Sequence, residues 1–285
     1  MRLDVASVLL QWATGGLLFL WVTTRRRVVG LGYGWLLRGV YGALGLGALV
    51  AGVAADDSGA AATVRDAAAA GVALAAIVAL AVSVSRRGAG VRGQRAERTR
   101  RRARVAAMTG RTRDVDPDDG AEFPVALDLV APVIGVAGLL ATASVVGGPY
   151  ALGVLRLLSG MLLMGAVSDA MLLGHWYLVQ PGLSRAPIKE LVTWCAAVWP
   201  VSFVAWCLPD GGIQVITGAV DDGWSGLLGW TWLVCAFTTI GLIGATWFAL
   251  RERFYSAVMA ATGLLYLAIL TAFGMDLIPR AVLAP

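Results

Sequence analysis

The stretch ALGVLRLLSGMLLMGAVSDAMLLGHWYLVQ, residues 151–180, is a long apolar run that carries Arg156, Asp169 and the single histidine of the chain, His175. At roughly 1.5 Å of rise per residue, a helix of this length exceeds a hydrocarbon core of roughly 30 Å and crosses a bilayer completely. Ionisable groups are costly in lipid and face protein or water, so this helix is the first place to look for function.

Composition extends the reading to the whole chain. Of the 285 residues 58% are hydrophobic and 14% charged, against about 25% charged in a soluble protein. Mean hydropathy is +0.75. Apolar runs recur at about 5–24, 28–55, 66–85, 125–146, 150–179, 188–208, 224–250 and 254–278. The expected fold is therefore all-α, a single polytopic bundle of eight transmembrane helices over residues 1–285. No loop is long enough to build a core of its own.

Charge orients the bundle. Arg25, Arg26 and Arg27 follow the first run rather than precede it, the reverse of a cleavable signal peptide and the order of a first span whose amino end lies outside. With that orientation the residue 86–123 loop, Arg185, Lys189, Arg251 and Arg253 all fall on the cytoplasmic side, and Asp56, Asp57, Asp210, Asp221 and Asp222 on the other. Both termini are then expected outside, in the inner (plasma) membrane of a bacterial-type cell. The 86–123 loop runs from arginine-rich to acidic. Anionic lipid is its expected partner over Arg86–Arg113; a protein partner or a second copy of the chain comes next, and nucleic acid is disfavoured because no aromatic residues interleave the arginines.

Helical depth selects the candidate chemistry. Asp169, Arg38 and Asp128 fall in the cytoplasmic half of the fifth, second and fourth spans, and Arg38 is the expected cation for Asp169. Asp128 precedes Pro132 by four residues, so its carbonyl loses a helical partner and should face the bundle interior. His175, beside the interfacial Trp176 and Tyr177, joins these three as a candidate substrate or proton path. In the outer half, Arg156 and Asp276 are expected to pair. Trp199 and Trp232 lie deep enough to line an apolar cavity or simply to pack.

Cys195, Cys207 and Cys235 sit inside apolar runs without ligand spacing, and no P-loop, HExxH, GxSxG, dinucleotide or haem-attachment motif occurs. No metal site or cofactor is indicated, and an enzyme is the minority expectation. The leading reading is a small-solute or proton-coupled permease with a cytoplasmic-side polar cavity. A non-catalytic subunit or assembly factor of a larger respiratory or transport complex is the alternative, and a membrane redox or lipid-handling protein a weaker one.

Overall fold

The computed structural model describes residues 4–55, 59–93, 121–180, 182–208, 212–217 and 219–282, with residues 96, 99, 107 and 108. Eight helices are long and apolar enough to cross a membrane. They are α1 (Val5–Thr24), α2 (Leu31–Ala54), α3 (Ala60–Ser85), α4 (Val130–Ala143, entered through a 3-10 turn over Val125–Leu129), α5 (Tyr150–Val179), α6 (Ala186–Cys207), α7 (Leu227–Ala249) and α8 (Tyr255–Val282). A five-residue helix, Gly212–Ile216, lies between α6 and α7. Among the described residues there is no strand. Most of the arginine-rich loop, along with Asp56, Asp57 and Asp210, lies outside the described residues.

Packing divides the chain into two rings of four. In the first, α1 packs on α2, α2 on α3, α3 on α4 and α4 back on α1; in the second, α5, α6, α7 and α8 repeat that order. The rings meet mainly along α1 and α5, the two most enclosed spans. Both helices run in the same direction, Gln11 lying against Gly160 and Gly15 against Gly165. A Cβ at Gly15 would collide with the Met161 carbonyl, and one at Gly165 with the Gly15 backbone. Glycine is what permits this approach, as small residues do wherever membrane helices gain their contact from packing rather than from water exclusion.

Two proline positions differ from the sequence expectation. Pro132 is expected inside a span, where it deprives the Asp128 carbonyl of its helical donor, but the α-helix begins only at Val130 and the proline falls in its first turn, where no intrahelical N–H is required. The eighth span was expected to stop near Ile278, yet α8 continues through Pro279 to Val282. Pro279 leaves the Met275 carbonyl without its helical donor, and the Trp232 indole N–H fills that place at 3.1 Å. The extra turn carries Arg280 into the interior, 1% exposed.

Ion pairs tie the helix connections together at the arginine-rich end. Arg25 and Arg26 both reach Glu190, and Arg27 reaches Glu122. Arg185 donates to the backbone carbonyls of Glu252, Arg253 and Phe254. At the opposite end Arg65 bridges Asp4 and Asp66, each at 2.8 Å. Between α4 and α5 the chain turns at Gly147 and Gly148, with φ of 81° and 76°, a left-handed backbone that glycine adopts without strain.

Candidate functional site

Besides Arg65 with Asp4 and Asp66, the buried charged side chains among the described residues fall into three groups at different depths. Nearest the arginine-rich end, Arg38 of α2 meets Asp128 in the turn that opens α4. The contact is bidentate, Nε to Oδ1 at 2.8 Å and Nη2 to Oδ2 at 2.7 Å, with both residues buried. The Thr24 hydroxyl also donates to Asp128, at 3.3 Å. Phe123 lies over the guanidinium, 4.3 Å from ring centroid to Cζ. A cavity of about 40 Å³, lined in part by Thr24, Arg27, Glu122 and Phe123, reaches Arg38.

Deeper, Asp169 of α5 is 0% exposed. The Tyr41 hydroxyl of α2 donates to its Oδ1 at 2.5 Å, while Oδ2 has no partner among the described residues. The Tyr33 hydroxyl donates to the Asp169 backbone carbonyl at 3.3 Å. Next along α5, Ser168 accepts from the Trp12 indole at 2.9 Å and donates to the Met164 carbonyl at 2.6 Å. Tyr41 is itself held in place, because its ring lies against Gly16 of α1 where any Cβ would collide with it.

Toward the opposite end, Arg280 of α8 donates to the Gln11 side-chain oxygen of α1 at 2.6 Å and contacts both carboxylate oxygens of Asp276, at 2.8 and 3.1 Å. Arg156 of α5 donates to the carbonyls of Ala205 and Leu208 at the end of α6. Both guanidinium groups flank the buried Trp206 ring, at 4.8 and 5.9 Å from its centroid.

The sequence-level pairings are thus rearranged. Arg38 takes Asp128 instead of Asp169, because the turn at the start of α4 sits against α1 and α3 with Asp128 within reach of Arg38, while Tyr41 is the α2 side chain that reaches Asp169. Asp276 takes Arg280 instead of Arg156, since the helix continues through Pro279 and places the two residues four apart on one face. His175 stands apart from all three clusters: it is exposed, and its Nδ1 faces the Tyr266 hydroxyl at 3.4 Å. Trp199 and Trp232 pack rather than line a cavity. Phe203 stacks on both, with centroids 5.1 and 5.5 Å away, and the Trp199 indole donates to Ala236.

Sequence reasoning missed Tyr41, Gln11 and Arg280. Tyr41 lies one turn beyond Arg38, and Arg280 four residues after Asp276, so both spacings were available as signals. Among the described residues no three His, Cys, Asp or Glu side chains gather as a metal-binding group. The cysteines at positions 195, 207 and 235 are free thiols. No family model, curated protein or solved structure matches the chain.

Proposed function

We propose that this multi-pass membrane protein is a small proton-coupled permease in which the Asp169 carboxyl carries the proton. One observation supports the reading above the others. Among the described residues three acids are buried, Asp128, Asp169 and Asp276, and of these only Asp169 has no cation within ion-pair distance. One hydrogen bond from Tyr41 is sparse solvation for a carboxylate in an apolar interior, so its charge state depends on water or a cation reaching Oδ2. Tyr41 keeps Oδ1 oriented in both states, leaving Oδ2 as the atom that gains and releases the proton.

The cavity lined by Thr24 and Arg38 is large enough to admit water, which suits proton entry toward the Arg38–Asp128 pair. By the distribution of arginines, that end faces the cytoplasm in this proposal. His175 is outside this path on geometric grounds.

Purified protein in liposomes loaded with a pH-sensitive dye tests the proposal. Wild type dissipates an imposed pH gradient, and Asp169→Asn abolishes the flux while keeping the wild-type unfolding temperature. Flux retained in Asp169→Asn, or wild-type flux no greater than that of empty liposomes, overturns it. In the second case a polypeptide that co-purifies in fixed proportion supports the subunit or assembly-factor reading.

A further inference from the structure

Three arginines from different parts of the fold converge on one short segment. Residues 121–124 belong to no helix and lead into the turn over Val125–Leu129 that opens α4. The Glu122 carboxylate pairs with Arg27 in the α1–α2 connection, and its backbone carbonyl accepts from Arg86 at the end of α3 at 3.1 Å. The Phe123 ring lies over the Arg38 guanidinium of α2. Glu122 and Phe123 thereby form part of the wall of the cavity beside Arg38, which Thr24 and Val29 also line.

These contacts differ in strength. Phe123, Arg38 and Asp128 are all buried, and a ring holds a guanidinium most firmly where water is excluded. Arg27 and Glu122 keep 33% and 12% of their side chains exposed, so their attraction is modest and screened by salt. Arg27 also holds a left-handed backbone, with φ of 52°, which residues other than glycine adopt only at a cost. Breaking the ion pair lets that backbone relax. Pro124, whose ring fixes its own φ, here −75°, leaves residues 121–123 as a short arm anchored on the turn. Lifting the Phe123 ring uncovers the guanidinium that holds Asp128.

We propose that residues 121–124 are a strap that gates water entry to the Arg38–Asp128 pair, with the Arg27–Glu122 contact as its salt-sensitive latch. The effect of the strap on flux rests on the reading of this cavity as the proton entry. Its effect on water access does not.

Val29 is buried against this cavity and supplies the probe position. Purified full-length Val29→Cys protein in detergent is treated with an uncharged water-soluble maleimide, whose approach salt does not alter, and the protein with only its three native cysteines gives the blank. Labelling at position 29 is slow at low salt and quickens as salt is raised. Adding Glu122→Gln raises the low-salt rate about two- to fivefold and removes the salt response, as loss of a partly exposed ion pair requires. Adding Phe123→Ala raises the rate about tenfold. Arg27→Glu together with Glu122→Arg restores both the slow rate and the salt response, which general loosening of the fold would not. Rates that are equal in all these proteins, or an acceleration that the charge-swapped protein keeps, overturn the strap. In liposomes Glu122→Gln also raises proton flux. A latch-dependent labelling rate in a protein that carries no protons upholds the strap and overturns the permease reading instead.

Discussion

Arg38 and Asp128, ninety residues apart in sequence, lock α2 to the start of α4 through two parallel hydrogen bonds of 2.8 and 2.7 Å, with both side chains buried. Removing one partner leaves an uncompensated buried charge, which costs about 3–5 kcal/mol. Asp128→Ala and Arg38→Ala are each expected to lose that much in denaturant unfolding of the detergent-solubilised protein. Arg38→Met with Asp128→Leu should recover most of it, because neither charge is then stranded. A double variant as unstable as the singles would show that the pair does more than neutralise itself.

The α1–α5 crossing makes a sharper steric prediction. Alanine at Gly15 or Gly165 forces two backbones apart and is expected to cost about 1–3 kcal/mol, with leucine at either position preventing assembly. Gly241 on α7 has nothing within 4 Å of the position a Cβ would take. Gly241→Ala should therefore be neutral or stabilising by up to about 1 kcal/mol through helix propensity. Equal effects at Gly165 and Gly241 would remove the close approach as the explanation.

Tyr41 combines a hydrogen bond with a packed ring, and two variants separate them. Tyr41→Phe loses only the donor to Asp169, for about 1–3 kcal/mol, and is expected to reduce proton flux. Tyr41→Ala also empties the space against Gly16 and should cost about 3–5 kcal/mol. Unfolding curves and liposome flux on both variants measure the two contributions.

Asp222 supplies a pH-dependent cap for α7. Desolvation acts to raise its carboxyl, but N–H groups of Gly226, Trp224 and Leu228, at 2.8–2.9 Å, outweigh it and hold the carboxyl below the usual carboxylate value. A lowered native value means that the cap contributes fully above the unfolded carboxylate value of about 3.9 and is lost as pH falls through the native one. Asp222→Ala should thus unfold at a lower temperature than wild type at neutral pH, the gap closing in acid. A gap that stays constant down to the acid limit would rule out the carboxylate as its source.

Apolar runs longer than a bilayer is thick admit few other folds, since in lipid each backbone polar group needs a partner and a helix supplies it locally. That is why all eight spans were legible from residues such as those of 151–180, and why Asp169 stood out as a buried acid before any coordinates. The partners were not legible. Depth along a helix can be counted from sequence, but the neighbour of each face depends on how the two four-helix rings close. Arg38 had two acids at similar depth, and only the seating of α4 and its entry turn against α1 and α3 gave it Asp128 and left Asp169 to Tyr41. Likewise Pro279 reads locally as a helix end. It became interior helix because Trp232, on another span, donates to the carbonyl that the proline leaves free. Local hydrophobicity determined what crosses the membrane; long-range packing decided which charges meet inside it.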